Sequence, residues 1–232
     1  MDRLEITYRF RLAEGRALEF ALQIEPHTME IIAPAPAEPP AWCRLEFHQC
    51  PNCPLAPAER PHCPAALRLI PVVERCAGLN AFSNARIEVT TAERTVSAVR
   101  PLQKGLSSLV GLIMATSGCP RTAYLKPMAR FHLPLASEAE TLYRAASMHL
   151  LAQYFLHKQG APSDLDLQAL TAIYQDLQSV NTAMSARLQA AAGTTGATHA
   201  LMSLDLLSHI LPFDFKTSLA DLRPLFAAYL AR

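Results

Sequence analysis

The chain has 232 residues, half of them apolar and 18% charged, which supports a packed core and argues against a wholly disordered protein. Lys and Arg total 21 against 20 Asp and Glu, and the net charge of +1 disfavours a basic nucleic-acid binder and a polyacidic tail protein. No apolar run approaches the ~18 residues of a membrane helix, and Met1-Asp2-Arg3-Leu4-Glu5 lacks a basic-then-apolar secretory start, so a soluble cytoplasmic protein with no membrane partner is expected.

Residues 4–12 alternate, with Ile6, Tyr8 and Phe10 on one face and Thr7, Arg9 and Arg11 on the other, as a half-buried strand requires. Glu14-Gly15 suits a turn, and 17–24 returns as the hairpin partner. A third strand is expected at 28–33, then an extended proline-rich connector from Ala33 to Pro40. A strand at 42–48 would put Cys43, Leu45 and Phe47 on one face. Residues 49–64 hold five prolines and no hydrophobic period, so they bury too little to order unaided. A helix at 65–79 and strands at 85–91 and 94–99 follow.

From residue 101 the pattern is helical. An apolar helix spans 104–116, and Gly118 suits a left-handed stop before Pro120. Ser137 with Glu138 and Glu140 starts a helix running to Lys158. Ser163 is expected to cap a helix of 164–191, with further helices at 198–211 and 217–230. The fold class is α+β, an antiparallel β-rich portion (1–100) containing the Cys/Pro loop, then a helical portion (101–232), as two units or one continuous domain.

The chemistry concentrates in cysteine. Four of the six cysteines, Cys50, Cys53, Cys63 and Cys119, are each followed by proline. Cys50-Pro51-Asn52-Cys53 has the two-residue spacing that turns both sulfurs toward one ion, and Cys63 and Cys119 complete a tetrahedral set. Such a set suits an iron–sulfur cluster or zinc. Proline removes an N–H beside the sulfur, and Cys-Pro recurs in ferredoxin-type sequences, which favours iron–sulfur. His62 and His48 are the alternative ligands, giving a Cys3His zinc site or a mixed cluster. Cys43 and Cys76 fall on apolar faces and read as core. The C-P-x-C form also occurs in dithiol oxidoreductases, but no helix is expected to begin after Cys53 to lower a thiol pKa.

Between Glu93 and Glu138 there is no acidic residue, while Arg121, Lys126 and Arg130 flank Cys119 and could balance a cluster or hold an anion. Cys119 and His132 at arbitrary spacing do not define a nucleophile and base. No P-loop, dinucleotide fingerprint, nucleophile elbow or H-E-x-x-H is present, so no complete catalytic motif names a reaction.

The segments FHQCPNCPL, HCPAALRLIPVVER, GLSSLVGLIMATSGCP, LKPMARFHLPLAS and SMHLLAQYF resemble those of a bacterial family known as a domain of unknown function, from about residue 42 onward. The resemblance implies a bacterial cytosolic protein and carries over no activity, cofactor or fold. The residues themselves lead to two expectations. One is a metal-binding redox or sensor module with an iron–sulfur cluster. The other is an interaction module for a protein partner, whose zinc joins the β and helical portions.

Overall fold

The computed structural model describes residues 3–13, 15–34, 36–192 and 219–231. Strands β1 (Leu4–Leu12), β2 (Ala17–Glu25), β3 (Glu30–Ile31), β4 (Asn84–Thr90) and β5 (Thr95–Pro101) form one antiparallel sheet in the order β3-β2-β1-β4-β5. The alternation of β1 decides its facing. Tyr8 pairs with Phe20 and Val89, and Phe10 with Leu18 and Ile87, all buried. On the opposite face Arg9 reaches Glu19 at 2.7 Å and Glu88 at 3.8 Å. These exposed ion pairs contribute little to stability.

β3 is shorter than the expected 28–33. The Glu25 carboxylate accepts the amides of His27 (2.9 Å) and Thr28, and Met29 adopts φ 53°, so a turn consumes the residues before Glu30. The expected strand at 42–48 does not form. Ala41–Cys43 is a 3-10 turn followed by further turns, and His48 has φ 48°. The carbonyls of Trp42, Arg44 and Leu45, which a strand would spend on a ladder, accept the Arg187 guanidinium instead. The facing of that stretch still holds for Cys43 and Leu45, both fully buried.

Helix α1 (Pro64–Arg75) opens with Cys63 as N-cap and Pro64 in the first turn, where a missing N–H costs nothing. It stops short of residue 79, with Cys76 as C-cap and Gly78 at φ 72°. α2 (Leu102–Ala115) lies on the buried face of the sheet. A Cβ on Gly105 would meet Phe10 at 2.6 Å and Ile87 at 2.8 Å, so only glycine permits this approach. Gly118 takes φ 84° after α2, as its position implies.

A 3-10 turn (Ala123–Leu125) and the short α3 (Lys126–Arg130) follow, neither foreseen by periodicity. α4 (Glu138–Lys158) begins with the Ser137/Glu140 capping box. α5 (Gln168–Ala192) starts later than residue 164. The Asp164 carboxylate, rather than Ser163, accepts the amides of Asp166 (3.1 Å) and Ala169 (2.7 Å), and Leu167 sits at φ 60°. The expected helix at 198–211 lies outside the described residues. Residues 219–222 are helical, Arg223–Phe226 is a 3-10 turn containing Pro224, and Ala227–Leu230 is a short helix.

The fold is α+β, a five-stranded antiparallel sheet followed by helices. The main core joins the inner sheet face to α1, α2 and the α5 residues Val180, Met184 and Leu188. A second cluster, including Leu142, Ala145, Leu170 and Leu177, packs α4 on α5. Among the described residues, no helix is long and apolar enough to cross a membrane.

Candidate functional site: a cysteine neighbourhood

The Cys50–Cys53 turn is local, closed by the Cys53 amide donating to the Cys50 carbonyl at 3.0 Å. No helix begins after it, in keeping with the proline content. The Gln49 side-chain amide donates to the Leu55 carbonyl at 3.0 Å and steadies the loop. Cys63 is brought in by two strand-like contacts, Leu45 N–H to Pro61 C=O and Cys63 N–H to Cys43 C=O, both 2.8 Å. Cys119 arrives from the far end of α2, its amide donating to Ser117 Oγ at 3.2 Å.

A polar junction fastens the Cys119 segment to the Cys50–Cys53 turn. Arg121 donates through Nε to the Asn52 carbonyl at 2.6 Å and through Nη1 to Asp176 at 2.9 Å. Asn52 Nδ2 in turn donates to the Asp176 backbone carbonyl (3.0 Å) and side-chain Oδ1 (3.1 Å). Asn52 Oδ1 is buried without a hydrogen-bond partner. The opposite amide orientation would set that oxygen against a carboxylate, so the pairing with Asp176 outweighs the orphaned acceptor.

Burial pushes Cys50 up to about 12, reinforced by Cys63, Cys119 and Cys53 and opposed by Arg187. Cys63 is raised mainly by burial and further by Cys119, while the Ala66 and Ala65 amides at the start of α1 and the Arg187 charge favour its thiolate. Cys53, Cys63 and Cys119 thus all act on Cys50, and all four pack against the main core. All six cysteines are free thiols. Among the described residues, no group of three or more His, Cys, Asp or Glu side chains is placed to hold a metal ion. Thiolate sulfur is the soft ligand type that zinc and iron–sulfur clusters take.

Cys43 and Cys76 are fully buried. Cys43 also lies beside Cys63, and burial, followed by the Cys63 charge, outweighs Arg187 to push it up to about 12. His62 is half-buried opposite Arg44 in an isolated bridge, and His48 is exposed with its ring edge-on to Phe47. Of the expected balancing cations, Arg121 is spent on Asn52 and Asp176, and Lys126 pairs with Glu30 at 3.1 Å. Arg130 lies over the Phe131 ring. The carboxylates that pair with Arg121 and Lys126 come from outside the acid-free segment.

A cation that acts on Cys43, Cys50 and Cys63 is Arg187, which sequence reading missed. It is 2% exposed and donates to Trp42 O (2.5 Å), Arg44 O (2.6 Å) and Leu45 O (3.1 Å). The available signal was its place on α5, within the apolar stripe of Val180, Met184 and Leu188. A charge on a core-facing stripe needs buried acceptors.

This is an α+β protein in which an Arg–Asn–Asp junction ties the Cys119 segment to the Cys50–Cys53 turn and a buried arginine ties residues 42–45 to α5. The chain belongs to the family described as Domain of unknown function (DUF6901), whose sequence profile matches residues 6–227. No curated protein and no solved structure matches the chain.

Proposed function

We propose that the protein is a metal-binding redox or sensor module of the bacterial cytosol, with Cys50, Cys53, Cys63 and Cys119 as ligands to an iron–sulfur cluster. What supports the reading is the four Cys-Pro thiols, of which Cys53, Cys63 and Cys119 all lie near enough to Cys50 to raise its pKa. Their mutual repulsion disfavours several thiolates together, and a bound cationic metal centre would reverse that balance. Loading therefore releases protons and couples to the ordering of residues 49–64. When bound, the cluster would supply one-electron exchange. Arg187 would offset the negative charge of the thiolates, and its three carbonyl bonds hold it in place to do so.

The test is elemental and sulfide analysis of protein purified without air, with a visible absorption spectrum. Iron with acid-labile sulfide and a broad visible band is expected. Stoichiometric zinc in colourless protein would replace the redox reading with a structural pin between the two portions. Protein without either metal after anaerobic isolation would overturn the site.

A further inference from the structure

A cavity of about 480 Å³ lies between α2, the α3 segment, α4 and α5, within the range of small-molecule sites. Its walls are mostly apolar, with Leu112 and Met114 from α2, Leu125 and Met128 beside α3, and Leu177 from α5. Its charged lining is one-sided. Among the described residues it comprises Arg100, Lys104 and Arg144, and no carboxylate. We infer that this cavity binds a small amphipathic carboxylate, its hydrocarbon part against the apolar walls and its carboxylate on Arg144.

Arg144 suits this role because its position is already fixed. Its Nη2 donates to the backbone carbonyls of Met128 (2.7 Å) and Phe131 (2.9 Å), which orient the guanidinium without neutralising it. Glu140, one turn earlier on α4, is engaged by its carboxylate with the Ser137 amide at 2.7 Å. Arg100 and Lys104 are exposed, so they add positive potential and leave the closer contact to half-buried Arg144. His132 in the wall is held by Tyr8, whose hydroxyl stands 2.5 Å from Nε2 and donates to Ser108 Oγ at 3.0 Å. Burial, followed by the Arg144 charge, keeps that imidazole neutral near pH 7. A wall of apolar side chains with an oriented guanidinium selects a ligand with an apolar body and one anionic end.

The experiment is calorimetric titration of the full chain with acetate, butanoate, hexanoate and octanoate, with 1-octanol as the uncharged control. Affinity should rise about tenfold for each pair of added methylenes until the cavity is filled. Octanoate should bind about tenfold more tightly than 1-octanol, and Arg144→Gln should abolish that difference while leaving 1-octanol unchanged. Should Arg144→Gln fail to fold, Lys104→Gln at an exposed position and a salt titration serve instead. Each should weaken octanoate and spare 1-octanol. Equal affinity for octanoate and 1-octanol, absence of octanoate binding, or tighter binding of octyl phosphate than of octanoate would overturn the assignment.

Discussion

Arg121 and Asn52, separated by 69 positions in the chain, are joined by a 2.6 Å bond from the guanidinium Nε to the backbone carbonyl. The bond holds the residue two places after Cys119 against the middle of the Cys50–Cys53 turn. The associated Arg121–Asp176 ion pair is more than one-third exposed on the Asp176 side, so its contribution to stability is below about 1 kcal/mol. Its larger effect should be on orientation. Arg121→Lys cannot serve both acceptors through a planar fork, and metal retention against a chelator should weaken about tenfold with little change in melting temperature. An unchanged rate of metal loss would remove Arg121 from the supporting structure of the site.

Arg187 should behave differently because its guanidinium is buried. Arg187→Met keeps much of the stem but leaves the Trp42, Arg44 and Leu45 carbonyls without this donor. The expected loss is about 3 kcal/mol, measured as a fall in the urea midpoint. Arg187→Lys should recover only part of it, since one ammonium cannot reproduce the fork. A variant as stable as the parent would show that water replaces the guanidinium at no cost.

His132 supplies a pH dependence with a definite sign. Burial first, then repulsion from Arg144, lowers its folded-state pKa from 6.5 to about 4, while Tyr8 contacts it from the sheet. Between those values the unfolded chain binds the extra proton and the folded protein does not. Stability from this group is therefore full above pH 6.5 and falls as pH drops toward 4, by ~3 kcal/mol. Melting temperatures measured from pH 7 to pH 4 should show this slope, and His132→Gln should flatten it. An equally steep profile in the variant would assign the acid sensitivity to other groups.

The parts readable from sequence were those governed by local periodicity. The β1–β2 hairpin, the apolar α2 and the Ser137/Glu140 cap arise from alternation, helical spacing and a local hydrogen-bond pattern. The 42–48 stretch misled because its alternation correctly marks Cys43 and Leu45 as buried, whereas its backbone carbonyls belong to a guanidinium more than 140 positions away. The four Cys-Pro positions stand out in sequence because Cys-Pro is a discrete motif. The residues around them do not, because Asn52 meets Asp176, and Arg187 meets Leu45, only through tertiary packing, and no pattern along the chain pairs them. The acid-free segment likewise concealed Lys126–Glu30 and Arg121–Asp176, whose carboxylates lie elsewhere in sequence.

Cys119 provides the most discriminating test of the thiol site, because it alone comes from beyond α2 while acting on both Cys50 and Cys63. Cys119→Ser retains size and polarity, but its hydroxyl stays protonated where a coordinated thiol is deprotonated. Metal content measured after anaerobic purification should fall in Cys119→Ser as it does in Cys50→Ser, Cys53→Ser and Cys63→Ser. Cys43→Ala is the necessary counterpart, because Cys43 is fully buried and adjoins Cys63 through the 2.8 Å backbone bond. It should cost about 1 kcal/mol of packing and leave metal content unchanged. Full metal occupancy in Cys119→Ser together with loss in Cys43→Ala would transfer the fourth ligand position to Cys43. Full occupancy in both would point to His62, which lies next to Cys63 in the chain, and would favour a Cys3His zinc site over a cluster.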